Sequence, residues 1–233
     1  MQKFIHNLAT FWHRKVHPKI STLIATIGTV GLLSCLVTLY VIAQISEDVF
    51  EKEAFAFDKT VLLWIHQFAT PSRDRLMVFV TSLGNPNTVV VIVTITLSLL
   101  LWRRYYQEAK FFFIDCLGGV VLSYGLKLLF GKTRPNLWQS PINETSYSYP
   151  SGHAVGSMVL YGFLAYLLAT RYPRFSWLIY IMAGIIIAAI GLSRLYLGVH
   201  WATDVIGGFG IGFLWVMLCI TMLKLQKMNQ LSR

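Results

Sequence analysis

The sequence predicts an all-α membrane protein, a bundle of six transmembrane helices, and three observations carry that prediction. Of 233 residues, 55% are hydrophobic and only 13% charged, with a mean hydropathy of +0.59, whereas soluble domains carry roughly 25% charged residues. A globule of this length has too little interior to hide so much apolar surface from water. Six apolar runs are long enough to cross roughly 30 Å of hydrocarbon, and the Lys and Arg of the connections favour one set of loops over the other. No internal repeat, low-complexity tract or linker divides the chain, so residues 1–233 read as one integral membrane domain.

The elements follow in order. Residues 1–19 form a basic N-terminal segment, and the first run, 20–44, continues uncharged to Ser46. It is too long for a signal-peptide core and lacks a small-x-small cleavage site, so it reads as a retained anchor. Residues 47–74 are too polar to span; within them Phe57, Val61, Ile65 and Phe68 recur at helical spacing beside Trp64. This suggests an amphipathic helix at the membrane interface, with a helix simply packed on the bundle as the equal alternative. The second run, 76–102, is interrupted by Gly84, Asn85 and Pro86, which should end or kink a helix, so its spanning part begins near Asn87. Four further runs cover 111–130, 154–170, 175–193 and 205–223.

An even number of spans puts both termini on one side. The N- and C-terminal segments and the connections on their side hold 12 of the 20 Lys and Arg residues, which predicts cytoplasmic termini. The three cysteines, Cys35, Cys116 and Cys219, lie far apart inside apolar runs and form neither a disulfide framework nor a metal knuckle. A net charge of +10 is spread in short clusters rather than one stripe, which argues against nucleic acid and for membrane orientation plus an anionic substrate.

Polar residues at membrane depth need a reason, because an ionisable side chain there costs at least ~2.5 kcal/mol. In the six-span topology Lys127, Arg134, Ser151 to His153, Arg194, His200 and Asp204 all fall on the outer side. Lys127, Arg134 and Arg194 come from different elements and could converge on one phosphate, the arginine forks matching its oxygens; singly, each also suits an interfacial anchor. Ser151 and Gly152 open an apolar helix, where Ser151 can cap, Gly152 lets an anion approach and free N–H groups face it; His153 then sits beside that anion. His200 and Asp204, four apart, suit an oriented nucleophile or base as well as a structural pair. A two-His, one-carboxylate metal site from His153, His200 and Asp204 is the competing chemistry, disfavoured by three nearby cations. His6, His13, His17 and His66 receive no chemical role.

The linked motifs Lys127-x6-Arg134-Pro135, Pro150-Ser151-Gly152-His153 and Ser193-Arg194-x5-His200-x3-Asp204 resemble the three-part signature of the type 2 phosphatidic acid phosphatase and vanadium haloperoxidase superfamily. Order, spacing and placement at helix ends all match, and with the six-helix pattern the resemblance covers nearly the whole chain. The composition points to the integral membrane lipid phosphatase branch, whose bacterial enzymes act on phosphatidate, phosphatidylglycerol phosphate and polyprenyl diphosphates. The resemblance implies that His200 attacks phosphorus, Asp204 orients it and His153 protonates the leaving alkoxide. It further implies that Lys127, Arg134, Ser151, Gly152 and Arg194 hold the phosphate oxygens. The expectation is therefore a phosphatase of a phosphorylated membrane lipid in a bacterial inner membrane, working without metal or other cofactor and with its site facing outward. An undecaprenyl diphosphate phosphatase is the nearest alternative, and a non-catalytic lipid or anion transporter or scaffold the more distant one. Lys132, an extra cation inside the first motif, has no assigned role.

Overall fold

Within hydrocarbon every backbone polar group must find its partner inside the chain, which leaves the helix as the form for an isolated apolar run. The fold, taken from a computed structural model, is described for residues 17–51 and 55–231, and among these residues it is all-helical with no strand. In chain order the helices are α1 (His17–Glu51), α2 (Phe55–His66), α3 (Pro71–Ser82), α4 (Pro86–Trp102), α5 (Tyr106–Phe130), α6 (Gly152–Arg171), α7 (Ser176–Tyr196) and α8 (Ala202–Leu231), with a 3-10 turn at Pro173–Phe175. Most of the basic N-terminal segment, including His6 and His13, lies outside the described residues.

Five of these helices are individually long and apolar enough to cross a membrane. The sixth crossing needs α3 and α4 taken together, two helices bent by 40° at the Gly84–Asn85 break. The protein is thus a multi-pass integral membrane protein, as the apolar runs predict, with two corrections. Gly28 interrupts α1 at φ 76°, ψ 164°, so the stretch able to cross is Gly28–Glu51 rather than 20–44. Helices α5 to α8 also extend up to a turn or more beyond the apolar runs, because backbone hydrogen bonding continues through polar residues once tertiary partners satisfy them. Arg194 therefore sits inside the last turn of α7 rather than after it.

Helix α6 runs through the centre, packed on α5, α7 and α8. Its Val155, Val159, Leu160 and Phe163 interlock with Phe111 and Phe112 of α5 and with Val216, Cys219 and Leu223 of α8. Val89, Ile92, Val93 and Leu97 of α4 close the same core. The outward faces stay apolar, as with Val120, Val121 and Leu128 on α5 and Ile181 and Ile185 on α7, which is the surface lipid covers. The starts of α6 and α8 nearly touch: a Cβ on Gly208 would stand 2.9 Å from the Ser151 carbonyl oxygen. The Ser151 N–H donates to the Asp204 carbonyl at 3.0 Å. This close approach brings two of the three motifs together. The cysteines act as packing groups, Cys219 in the core and Cys35 and Cys116 half-buried, all unpaired.

The outer segment forms a helix, α2, whose buried face keeps Val61 and Ile65 of the apolar spacing and is shifted from it toward Asp58 and Leu62. Asp58, Leu62 and Ile65 point inward, whereas Phe57, Trp64 and, beyond the helix, Phe68 are exposed. The rotation is set by a carboxylate: Asp58, with no solvent exposure, accepts the Thr203 N–H at 2.8 Å. An ion-paired acid at the centre of a buried face is invisible to a count of apolar residues. His66 stacks on Trp138, ring centroids 4.0 Å apart.

Candidate active site

The site forms where α5 and α7 end and α6 and α8 begin, at one end of the bundle. Gly131 terminates α5 in the left-handed region, φ 57° and ψ 21°, where a residue without Cβ is favoured. The chain then folds back over the helix ends as the loop 131–151. That loop carries Lys132 and Arg134 within the first motif and Glu144 and Ser148 between the first and second.

His200 lies two residues ahead of α8, not on the helix as its spacing suggests, yet it still reaches Asp204 on the first turn. Its Nδ1 is 3.3 Å from Asp204 Oδ2 and 3.4 Å from the Ser148 hydroxyl. The same carboxylate oxygen accepts the Trp201 N–H at 2.8 Å and the Ser148 hydroxyl. Asp204 thereby does what a third-position acid does at a helix start: it satisfies the N–H of the residue preceding the helix and complements the dipole. With the His200 proton on Nδ1, directed at Asp204, the lone pair on Nε2 faces Arg134, whose Nη1 stands 3.2 Å away. Burial lowers the His200 pKa to about 4, Asp204 opposing and Arg194 and Arg134 assisting, so the ring is neutral and nucleophilic at pH 7.

The cations converge as expected. Arg134 is braced by carbonyls, Nε to Ser146 and Nη1 to Val199, each at 2.7 Å. Arg194, only 1% exposed, donates Nη1 to the Thr81 hydroxyl at 2.9 Å and Nη2 to Glu144. The other Glu144 oxygen is 3.6 Å from Arg134 Nη2, so a carboxylate lies between the two guanidinium groups. Burial would raise the Glu144 pKa, but Arg194 and Arg134 together outweigh it and hold it below the usual range. The space between the arginines thus favours an oxyanion. Lys127, buried, donates to the Tyr147 carbonyl, and a Cβ on Gly152 would point toward its Cε at 3.8 Å.

Ser151 occupies the cap position of α6, but its side chain makes no capping hydrogen bond. Its hydroxyl and the Nε of Arg194 are buried without a hydrogen-bond partner, and buried donors of this kind require an acceptor. His153, half-buried on the first turn of α6, pairs its Nε2 with Asn85 Oδ1 at 2.9 Å. A Cβ on Gly84 would come within 2.9 Å of the His153 ring, so the break between α3 and α4 is shaped around this histidine. The oxygens of Asp204 are engaged by His200, Ser148, Trp201 and Lys132 and His153 by Asn85, an arrangement different from a shared facial metal triad.

Every motif residue is therefore at one end of the bundle. The motifs missed Asn85, Ser148, Glu144, Thr81 and Asp58. One of these had a signal: Gly84-Asn85-Pro86 is irregular polar backbone between apolar runs, which is tolerated at membrane depth only where it lines a protein interior or cavity.

An oriented imidazole beside clustered guanidinium groups, at the end of a lipid-covered helical bundle, defines an integral membrane phosphatase, a hydrolase of phosphoric monoesters. The profile of the PAP2 superfamily matches residues 111–228, from α5 to α8, and the chain belongs to that family. It is 31% identical to phosphatidylglycerophosphatase B of Bacillus subtilis over 147 residues, 62% of this chain and 72% of that protein. It is 32% identical to undecaprenyl-diphosphatase of Sulfolobus acidocaldarius over 156 residues, 65% and 70% of the two chains. The crystal structure of a transmembrane PAP2 type phosphatidylglycerolphosphate phosphatase from Bacillus subtilis matches with a TM-score of 0.74 and 25% identity, covering 80% of this chain and 94% of that one. Aquifex aeolicus LpxE shares the fold, with a TM-score of 0.53 at 21% identity over 73% and 95% of the chains. The protein is a membrane lipid phosphatase of PAP2 type, acting on a phosphorylated lipid in the bilayer.

Proposed function

We propose that the chain removes the terminal phosphate of a phosphatidate- or phosphatidylglycerol phosphate-type lipid in two steps through a phosphohistidine, without a metal. The observation that carries this reading is the Nε2 face of His200, directed into the same space that Arg134 and Arg194 keep favourable for an oxyanion. In the first step the Nε2 lone pair attacks phosphorus, the bond to the lipid oxygen breaks, and protonated His153 gives its proton to the departing alkoxide. Arg134, Arg194 and Lys127 stabilise the phosphoryl charge in the transition state. The unpaired Ser151 hydroxyl and Arg194 Nε are donors that phosphate oxygens would satisfy. In the second step neutral His153 takes a proton from water, the hydroxide forms a bond to phosphorus, the P–N bond breaks, and phosphate leaves with His200 restored.

The likeness to an undecaprenyl-diphosphatase keeps diphosphate lipids as the second reading. Phosphate release by the purified protein from phosphatidate, lysophosphatidate, phosphatidylglycerol phosphate and undecaprenyl diphosphate separates them: kcat/KM should be highest on a monophosphate glycerolipid. Preference for the diphosphate would transfer the assignment to the second reading.

The site is proposed to face outward across a bacterial inner membrane. Arg103, Arg104, Lys110, Arg171, Arg174, Lys224 and Lys227 gather at the bundle end opposite the site, which supports a cytoplasmic location for that end. A periplasm-active reporter fused after Arg233 should be silent, and one inserted between Trp138 and Asn143 active. The reverse pattern would place hydrolysis on the cytoplasmic side.

A further inference from the structure

Two further charged groups, Lys132 and Asp58, meet Asp204 of the catalytic pair at the oxygen that His200 does not use. The Lys132 ammonium is 3.1 Å from Asp58 Oδ2, 3.0 Å from Asp204 Oδ1 and 2.7 Å from the Thr203 hydroxyl, to which it donates. Asp58 in turn accepts the Thr203 N–H at 2.8 Å and the Thr203 hydroxyl proton at 2.7 Å. All three charges are enclosed: Asp58 and Asp204 have no exposure and Lys132 has 6%. Asp58 lies outside the three motifs and Lys132 is not a signature position of the first, and they reach the site from α2 and from the loop after α5.

Stability alone does not account for this arrangement. Replacing a buried ion cluster by well-packed apolar groups is often neutral or favourable, because desolvation offsets the Coulombic gain. What the cluster does supply is direction. Asp204 uses Oδ2 for His200, Ser148 and the Trp201 N–H, which leaves Oδ1 as the second point that fixes the plane of the carboxylate. Lys132 holds that point, and Asp58 holds Lys132 while also fastening α2 to the first turn of α8.

We propose that Lys132, anchored by Asp58, is a positioning residue for the catalytic pair: it fixes the Asp204 carboxylate so that His200 keeps its proton on Nδ1 and its lone pair on Nε2. The outer helix α2 thereby becomes part of the catalytic support. Without the ammonium, two buried carboxylates would face each other across the start of α8, and Asp204 would be free to turn from His200. This inference rests on His200 being the nucleophile.

The test uses the full-length protein in detergent with phosphatidate as the probe substrate and His200→Ala as a parallel control. Lys132→Met should lower kcat about 100-fold with KM within about threefold of wild type, since an orienting group acts on the chemical step and not on substrate binding. Added to Asp204→Asn, the same substitution should cost less than about twofold more, because groups acting as a unit are not additive. Asp58→Asn preserves side-chain shape and should lower kcat about tenfold, again at constant KM; it carries the test if Lys132→Met does not fold. Wild-type kcat in Lys132→Met or in Asp58→Asn would overturn the proposal. So would a rise in KM at constant kcat, which would make Lys132 a substrate-binding cation, or an undiminished loss in the Asp204→Asn background. Full activity in His200→Ala would instead refute the nucleophile assignment, an outcome distinguishable from all of these.

Discussion

Replacement of His200 by alanine is expected to abolish phosphate release, leaving less than about one part in 10⁴ of wild-type turnover, as removal of a covalent nucleophile does elsewhere. The expectation follows from a ring that is neutral at pH 7, fixed through Nδ1 to Asp204 at 3.3 Å, with its Nε2 lone pair turned toward Arg134 Nη1 at 3.2 Å. Rapid quenching of the wild-type enzyme with labelled substrate should trap an acid-labile, base-stable phosphoenzyme that His200→Ala lacks. Asp204→Asn should reduce kcat by about 10³- to 10⁴-fold with the fold retained, since an amide in place of the carboxylate favours the wrong tautomer. In the proposed mechanism EDTA should leave activity intact, because Lys127, Arg134 and Arg194 would supply the charge neutralisation that a metal provides in other phosphatases. Loss on chelation with recovery on adding a divalent ion would require a metal in the mechanism, and substantial turnover by His200→Ala would remove the proposed nucleophile.

Lysine at position 134 or 194 should cost about 100-fold in kcat/KM although the charge is kept. Arg194 uses two arms at once, on Thr81 and on Glu144, and Arg134 places Nε and Nη2 on Ser146 and Nη1 on Val199 and the His200 ring. A single ammonium cannot reproduce either fork. Because Arg194 is almost fully enclosed, thermal unfolding in detergent should accompany its kinetics, so that a loss of rate is measured on folded protein. Full activity in both variants would reduce these arginines to interfacial anchors.

The reach of the sequence is uneven for physical reasons. Apolar runs give the spans, since lipid imposes one long-range rule on every residue that faces it. They misplace the ends: Arg194 and Asp204 are inside helices whose last or first turns are polar, and only tertiary partners make those turns stable. The helical spacing of Phe57, Val61, Ile65 and Phe68 finds α2 and two residues of its buried face, Val61 and Ile65, but not the shift of that face toward Asp58, which counts as polar in any hydrophobic pattern. Lys132 is legible as a charge within the first motif and illegible as a partner of Asp58 and Asp204.

By itself the sequence determined that this is an all-helical, multi-pass membrane protein of the PAP2 type, and its motifs singled out Lys127, Arg134, Ser151, Gly152, His153, Arg194, His200 and Asp204, which the fold gathers at one end of the bundle. Composition fixes the solvent a chain must fold in, and linked motifs at helix ends fix which residues share a face. Only the tertiary structure decided what stands behind and between them: Asn85 on His153, Glu144 between the arginines, Ser148 on Asp204, and the Asp58–Lys132 pair on the other oxygen of Asp204. Those partners come from a helix break, a loop and an outer helix whose positions no local pattern encodes. A buried charge is stabilised by whatever folds against it, and that is settled by packing over the whole chain.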